Sequence, residues 1–260
     1  MSLRTVIATR YVTPLREGGS LPAIVEADDD GLYVLKFRGA GQGPKALIAE
    51  LVAGELARAS GLLVPEIVFV ELDPELARTE PDPEIQDLIR ASAGLNLALD
   101  YLPGSMTFDP VVEKPDADLA SSVVWLDAYV TNTDRTARNT NMLVWHRRLW
   151  LIDHGAALYF HHTWSNHIER SRSPFPMIKD HVLLRLASSV PEIDAKMAAR
   201  VTPDIISSIV ELIPDAWLVE GSPFSGSEQH RDAYTEYLIS RLELRHFFLE
   251  EVSRARSLYL

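Results

Sequence analysis

The first third of the chain alternates between strand-like and helix-like patterns. Residues 33–37 (YVLKF) are a short run of β-forming side chains after an acidic turn at residues 28–31, which predicts a β-hairpin. After a glycine-rich connection at residues 39–44, apolar positions recur at helical spacing in residues 45–61, and Gly61 ends that pattern. The positions that share one face of this predicted helix are Leu47, Leu51, Val52, Glu55 and Ala59.

The pattern then returns to strands before it changes at Pro103-Gly104. Residues 64–72 and 95–102 are apolar and predict two strands, whereas the acidic, proline-containing residues 73–84 between them predict a surface loop. Strand signals dominate before the Pro103-Gly104 turn and helix signals dominate after it. We therefore place a boundary between two lobes at this turn.

The part after the turn is predominantly helical. Residues 119–130 have helical spacing, and residues 142–145 and 149–152 predict two short strands. From about residue 178 the patterns are mostly helical, and an amphipathic last helix is predicted over residues 231–260, with its apolar stripe packed on the domain.

These patterns together predict an α+β fold in two lobes. The chain has 260 residues, of which 47% are hydrophobic, so it can bury a sizeable core. We predict a single domain over residues 1–260, with a β-rich N-lobe at residues 1–102 and an α-helical C-lobe at residues 103–260.

Charge and cysteine content narrow the classes of function. Lys and Arg number 25 against 37 Asp and Glu, a formal charge of −12, which argues against direct nucleic-acid binding and against anionic membranes. There is no cysteine, so disulfides and thiolate metal sites are excluded. No stretch approaches eighteen apolar residues and no secretion signal is evident, so we expect a soluble, cytoplasmic protein.

Four polar residues form a candidate site for phosphoryl transfer. Asp134 and Asn139 lie five residues apart just before the first C-lobe strand, and Asp153 directly follows the second. Transfer from ATP needs a lysine for the phosphates, oxygen ligands for magnesium and a carboxylate near the attacking hydroxyl. With Lys36 on an upstream strand, the chain has these parts in the order of a kinase. Each part alone would be an ordinary strand-edge lysine or turn, so their joint order carries the prediction.

Four segments of the chain also match one known family. YVLKF resembles a strand that bears an ATP-contacting lysine, and AELVAGELARASGLLVPE resembles the helix that follows it. TDRTARNTNML resembles a catalytic loop and LIDHGAAL a metal-binding strand end. The family is that of the HipA-like serine/threonine kinases, with more distant similarity to type II phosphatidylinositol 4-kinases, and the match spans about residues 18–157. The resemblance implies a bilobal protein-kinase-like fold that binds ATP and Mg.

The resemblance also implies a role for each residue of the candidate site. Lys36 would contact the α and β phosphates and Glu50 would pair with Lys36. Asp134 would orient or deprotonate the acceptor hydroxyl, and Asn139 and Asp153 would bind magnesium.

Two of these assignments have alternatives. Glu55 lies nearer the centre of the helix's apolar stripe than Glu50, and a glutamate there needs a partner. Asn141 directly precedes the strand, whereas Asn139 has the five-residue separation from Asp134. We prefer Glu50 and Asn139.

Further ATP contacts are predicted on both sides of the lysine strand. Gly18, Gly19 and Ser20 could bring backbone N–H groups to the β and γ phosphates, although an ordinary hairpin turn explains them equally well. Ser20 is also the candidate for a regulatory phosphorylation like that of HipA-like kinases. Asp100 and Leu102, before the lobe boundary, complete the predicted nucleotide site.

Several other features concern partners and competing functions. Larger family members have an N-terminal subdomain that contacts an antitoxin-type DNA-binding partner. This sequence begins almost at the predicted phosphate loop, so whether it binds such a partner is left open. We expect a protein substrate. The competing hypotheses are a pseudokinase or interaction module and a small-molecule or lipid kinase on the same fold. His154 replaces the aromatic residue of the usual Asp-Phe-Gly, and Arg135 follows Asp134 as in the lipid-kinase relatives.

The segment after Asp153 is rich in histidine. His161, His162 and His167 fit no metal-site spacing, so we predict a solvated or substrate-facing loop, in which Arg170 and Arg172 could contact the acceptor. Three tryptophans near the catalytic loop are assigned to the core. They are Trp125, Trp145 and Trp150.

Overall fold

The computed structural model describes residues 2–15, 21–218 and 222–259. The elements of its first region are β1 (Thr5–Pro14), β2 (Ala23–Ala27), β3 (Leu32–Lys36), α1 (Pro44–Ala59), β4 (Ile67–Leu72), α2 (Pro83–Ala91) and β5 (Gly94–Asp100). The strands form a closed barrel in the order β1-β2-β3-β5-β4. All neighbours are antiparallel except β1 and β4, whose parallel pairing closes the barrel.

The barrel has its own small core. Burial alternates along β2, where Ala23, Val25 and Ala27 are buried, because successive strand side chains point to opposite faces of the sheet. Ile85 and Ile89 of α2 join this cluster and cover it from one side. The β2–β3 hairpin predicted from the acidic turn is present, with Tyr33 opposite Val25.

Helix α1 lies between the barrel and the second region. Pro44 occupies the first turn of α1, where a backbone N–H would form no intrahelical hydrogen bond, so its missing N–H costs nothing. Gly61, beyond the end of the helix, has a positive φ of 83°. Every residue from Leu47 to Ala57 is buried, so the helix is covered on all sides. A Cβ on Gly54 would lie 2.6 Å from Ile67 Cδ1, which shows how closely α1 packs on β4.

The second region is helical apart from a three-stranded sheet in the order β6-β7-β8. Its elements are β6 (Met106–Thr107), α3 (Ala117–Tyr129), β7 (Met142–Trp145), β8 (Arg148–Leu151), α4 (His167–Arg170), α5 (Val190–Arg200), α6 (Pro203–Val210), α7 (Ser227–Glu243) and α8 (His246–Ser257). Helix α3 runs through the main core, where Trp125 and Tyr129 are fully buried. The α+β fold, β-rich first and helical afterwards, is confirmed.

The surface loop predicted over residues 73–84 is wrong in part. Residues Pro74–Thr79 form a 3-10 helix and α2 begins at Pro83. The side chain of Asp73 accepts the Glu75 N–H at 2.9 Å, and that of Asp82 accepts the Glu84 N–H at 3.0 Å. An aspartate followed by a proline is a helix start as well as a turn signal, so the sequence pattern was ambiguous.

The single last helix predicted over residues 231–260 is also wrong, because the chain breaks between α7 and α8. One helix of that length would be roughly 45 Å long at about 1.5 Å per residue. The break instead lets α8 turn back onto α3, where Phe248 packs edge-to-face on Trp125 at 5.7 Å. Arg245 at the break binds Asp194 of α5 at 3.0 Å.

Of the three tryptophans assigned to the core, only Trp125 is fully buried. Trp145 and Trp150 are half-buried on the β7–β8 hairpin and pack edge-to-face at 5.5 Å. Within the described part of the chain, no helix combines the length and the apolar character that crossing a membrane requires.

Candidate active site

The end of β3 brings Lys36 to two carboxylates that come from distant parts of the chain. Its Nζ lies 2.7 Å from Oδ1 of Asp153 and 3.6 Å from Oε2 of Glu50. The Lys36 side chain is 11% exposed, so its charge needs these partners. Burial lowers the pKa of Lys36, but the charges of Glu50 and Asp153 outweigh it and raise the pKa above its ordinary value. We call these three residues the lysine cluster.

Glu50 joins the lysine cluster to the residue after Asp153. Its Oε2 accepts the His154 backbone N–H at 2.8 Å, and its Oε1 lies 3.2 Å from Nδ1 of the His154 ring. Burial would raise the pKa of Glu50, but the Lys36 charge and the His154 hydrogen bonds hold it at about 2. The carboxylate therefore stays ionised and positions both the lysine and the Asp153-His154-Gly155 turn.

The alternative glutamate on the same helix points elsewhere. Glu55 lies 3.6 Å from Arg58, and burial raises its pKa. Both glutamates are nearly inaccessible, at 1% exposure for Glu50 and 7% for Glu55, because α1 is covered on all sides. Helical periodicity could not choose between them for that reason. Glu50 is the one in contact with Lys36.

The loop before β7 holds a carboxylate between two amides. Oδ2 of Asp134 accepts hydrogen bonds from Nδ2 of Asn139 at 2.7 Å and from Nδ2 of Asn141 at 3.3 Å. Asn141 also donates to the backbone oxygen of Asp153 at 3.4 Å, so it links the two aspartates. Asn139 is exposed and Asn141 is buried, with a φ of 48°. The structure thus brings both candidate asparagines to Asp134.

Beneath this loop lies a buried charge network that sequence reasoning missed. Asp127 of α3 accepts hydrogen bonds from Arg135 Nε at 2.6 Å and Asn132 Nδ2 at 3.0 Å, and lies 2.9 Å from His181 Nε2. Burial would raise the pKa of Asp127, but the charge of Arg135 and the contact with His181 hold it well below its usual range. We call Asp127, Arg135 and His181 the arginine network.

The arginine network ties three chain segments together. Arg135 also donates to the backbone oxygens of Asn141 and Ile152, at the two strands before Asp153. The Val182 N–H donates to the Arg135 oxygen at 3.1 Å, which holds the segment after Asp153 to the loop. One signal could have found it: Asp127 is a lone charge inside the apolar run SSVVWLDAYV, where an acid needs a partner.

The Asp153-His154-Gly155 turn packs directly under α1. Asp153 has a positive φ of 53°, and a Cβ on Gly155 would lie 3.7 Å from the backbone oxygen of Ala46. His154 is fully buried, and its Nε2 has no hydrogen-bond partner within the described residues. The imidazole thus takes the place of the usual aromatic ring while adding a hydrogen bond to Glu50.

Two other predicted nucleotide residues lie at and just beyond the end of β5. Asp100 pairs in β5 with Tyr33, three residues from Lys36, and burial raises its pKa, reinforced by the charge of Glu66. Leu102 is buried just beyond β5. The predicted phosphate loop, with Gly18, Gly19 and Ser20, lies outside the described residues.

The histidine segment is solvated only in part, since residues 163, 165 and 166 are exposed while one histidine is buried, and the substrate-facing alternative stays a prediction. His161 is fully buried, and its Nδ1 lies 3.0 Å from the Tyr234 hydroxyl. His167 Nδ1 lies 3.2 Å from the Trp164 oxygen, and His162 is half-buried. Among residues 2–15, 21–218 and 222–259, no three His, Cys, Asp or Glu side chains converge as a metal site would require.

The geometry defines a class of protein. Protein kinases pair a strand lysine with a glutamate on the following helix and place a metal-binding aspartate beside them. Lys36, Glu50 and Asp153 follow this arrangement between a β-rich and a helical region. Fold and site together are those of a protein-kinase-like phosphotransferase.

The family follows from a sequence profile described as HipA-like kinase, which matches residues 8–250. The chain therefore belongs to the HipA-like kinase family, and the resemblance noted in the sequence is confirmed. No curated protein matches the chain.

Three solved structures are similar to this chain, and the first of them supports the kinase-like fold. The proinflammatory kinase CtkA of Helicobacter pylori is 13% identical, with a TM-score of 0.51 over 99% of both chains. The Golgi casein kinase is 13% identical with a TM-score of 0.49, over 97% of this chain and 72% of that one. A second structure of that kinase with Mn/ADP bound is 14% identical with a TM-score of 0.47, over 96% and 73%.

Proposed function

We propose that this protein is an ATP- and magnesium-dependent kinase that transfers the γ-phosphoryl group to a serine or threonine hydroxyl of a protein. The observation that carries the proposal is the Lys36–Asp153 contact of 2.7 Å, which joins residues 117 positions apart. It leaves a lysine and a partly exposed carboxylate side by side, next to a second carboxylate held by amides. These are the parts that phosphoryl transfer requires.

Lys36 and Glu50 would act on the phosphates. Glu50 is ionised and buried, so it keeps the Lys36 ammonium charged and limits its movement. In the nucleotide complex the ammonium would donate to the α and β phosphate oxygens. Gly18, Gly19, Ser20, Asp100 and Leu102 supply the remaining contacts to ATP in this proposal.

Asp134 would act on the acceptor. Hydrogen bonds from two amides orient its carboxylate, which can accept the proton of the attacking hydroxyl. The bond between that hydroxyl oxygen and the γ-phosphorus forms while the bond from the γ-phosphorus to the bridging oxygen breaks. The products are the phosphorylated acceptor, ADP and a proton on Asp134.

The residues present fit magnesium. The Asp153 carboxylate is 41% exposed and Asn139 lies on the surface of the same site, and both can offer oxygen ligands. Magnesium in nucleotide sites is held by one or two carboxylates together with substrate phosphates. When bound, magnesium would offset the charge of the β and γ phosphates.

A thermal-shift titration with ATP, with and without magnesium, tests this proposal. A ligand that binds only the folded state raises Tm, so wild type should shift with Mg·ATP and Asp153→Ala should not. Asp232→Ala, which removes an exposed carboxylate on α7, is the matched control and should shift like wild type. Labelled ATP and Ser/Thr peptides then measure transfer. No shift in any variant would contradict the proposal and favour an interaction module.

A further inference from the structure

The segment after the Asp153-His154-Gly155 turn carries positive charge in an acidic protein. The whole chain has a formal charge of −12, yet residues 155–189 contain four Lys or Arg and two Asp or Glu. The basic residues are Arg170, Arg172, Lys179 and Arg185, and the acidic ones are Glu169 and Asp180. A local excess of cations in such a chain indicates a surface for an anionic partner.

Arg170 is the best-placed of these cations. Its Nη1 donates to the backbone oxygens of Phe160 at 3.2 Å and Thr163 at 2.5 Å, so the guanidinium is held against the loop that carries His162. Both acceptors are uncharged. Within residues 2–15, 21–218 and 222–259, no carboxylate forms an ion pair with Arg170.

Lys45 approaches the same place from α1. The first turn of that helix packs on Gly155, as the 3.7 Å between a Gly155 Cβ and the Ala46 oxygen shows. Burial lowers the pKa of His162, and the charges of Lys45 and Arg170 lower it further, so both cations lie within electrostatic range of this ring. Lys45 is half-buried and has no ion-pair partner in the described part of the chain.

The segment that carries His162 and Arg170 is fixed to the residues that precede the proposed catalytic loop. The Leu158 N–H donates to the Val130 oxygen at 2.7 Å, and the Tyr159 N–H donates to the Thr131 hydroxyl at 3.2 Å. The far end of the segment is anchored by Arg241, which donates to the Ser171 and Ser173 oxygens. The segment that carries His162 and Arg170 is therefore held at both ends, one of them against the residues that lead into the loop of Asp134.

We propose that Lys45, His162 and Arg170 form a site for a glutamate or aspartate carboxylate of the acceptor, so that this kinase selects hydroxyl groups in acidic sequences. The site rests on the proposed kinase function. It lies between α1 and the segment after Asp153, and it supplies two positive charges and an imidazole, with no ion pair from a carboxylate of the described residues to neutralise them.

Peptide binding tests this site independently of catalysis. Fluorescent peptides of equal length carry alanine in place of the acceptor residue and Glu, Gln or Lys at the flanking positions. Their Kd values are measured by anisotropy with a non-hydrolysable Mg·ATP analogue. Because hydrogen bonds to charged groups are strong, the Glu peptide should bind wild type roughly tenfold more tightly than the Gln peptide. Higher salt should reduce that difference.

Charge reversal provides the decisive variants. Lys45→Glu places an acid in the first turn of α1, where it suits the helix dipole, so the fold should tolerate it. It should abolish the preference for the Glu peptide, and Lys45→Glu/Arg170→Glu should favour the Lys peptide. The matched control is Arg147→Glu/Arg148→Glu on the β7–β8 turn, which should bind like wild type.

Other results would overturn the inference or separate it from the proposed function. Equal binding of all three peptides to wild type, or an unchanged preference in Lys45→Glu, would refute the site. If the wild-type protein carries a phosphate on Thr163 and shows no preference among the peptides, the cations bind the chain's own phosphate. That result would also refute a site for an acceptor carboxylate. Absence of a thermal shift with Mg·ATP in the wild-type protein would contradict the kinase proposal alone, because peptide binding is measured in a separate experiment.

Discussion

The lysine cluster and the arginine network are both built around a buried carboxylate, but they differ in access to solvent. In the lysine cluster the Asp153 side chain is 41% exposed and that of Lys36 is 11% exposed. In the arginine network the side chains of Arg135 and Asp127 are both 0% exposed. Only the first can exchange a protein partner for a ligand.

Burial separates binding from support in this molecule. An ion pair without access to water cannot exchange partners, and removing one member leaves an uncompensated charge. An open cluster can bind phosphate or metal at the position that a neighbour now occupies. We therefore expect changes in the lysine cluster and its loop to affect activity, and changes in the arginine network to affect stability first.

The largest expected effect concerns Asp134, on the open side of this division. Asp134→Asn keeps the shape of the side chain but removes the proton acceptor, so phosphoryl transfer should fall by roughly 10²–10⁴-fold. The thermal shift with Mg·ATP should remain, because Asp134 is not assigned to the nucleotide. Transfer at the wild-type rate, measured with labelled ATP, would remove Asp134 from the site.

The buried side of the division is tested by Asp127→Ala. Arg135 and His181 would lose their carboxylate inside the protein, which should reduce the free energy of unfolding by about 3–5 kcal/mol. At roughly 2–4 °C per kcal/mol, Tm should fall by about 6–20 °C. Asp134→Asn is the control and should melt close to wild type. A drop in activity at an unchanged Tm would contradict the supporting role.

The two asparagines divide in the same way, since Asn139 is exposed and Asn141 is buried. Asn139→Ala should raise the magnesium concentration needed for half-maximal transfer by roughly tenfold while Tm changes little, because the side chain is assigned to the metal. Asn141→Ala replaces asparagine, which tolerates the left-handed φ of 48°, with alanine, and it removes the amide that links the two aspartates. It should lower Tm by a few degrees. The reverse pattern would assign the metal to Asn141.

The smallest effect is a pH dependence of stability that comes from Glu50. Its folded pKa of about 2 lies below the ordinary 4.5, so its stabilising contribution is complete above pH 4.5 and is lost as pH falls toward 2. Urea unfolding between pH 5 and 3 should therefore show a shallower loss in Glu50→Gln than in wild type. Asp127 also loses stabilisation in acid, so the difference between the two proteins is the relevant quantity.

Glu55→Gln is the matched control for this measurement. Burial raises the pKa of Glu55, so its charged form costs stability near neutral pH and acid relieves that cost. Removing this carboxyl should leave the acid-induced loss of stability as steep as in wild type or steeper. Equal slopes for wild type and Glu50→Gln would show that Glu50 is not held ionised by Lys36 and His154.

Much of the fold was predictable because its elements have strong local patterns. The hairpin that carries Lys36, helix α1 and the β7–β8 pair follow from alternation, helical spacing and glycine positions in the sequence. The prediction failed where local signals are shared by different structures. Aspartate followed by proline marks both a turn and the start of α2, and the apolar stripe of residues 231–260 continues through the break between α7 and α8.

The sequence by itself determined the parts of the proposed site: a strand lysine, helix glutamates, an aspartate–asparagine loop and an aspartate after the last short strand. Only the tertiary structure decided which of them meet. It selected Glu50 over Glu55 for Lys36, paired Arg135 with Asp127 and placed Lys45 and Arg170 within electrostatic range of His162. The reason is physical: hydrogen bonds and ion pairs require atoms within a few ångströms, and packing of distant segments sets those distances.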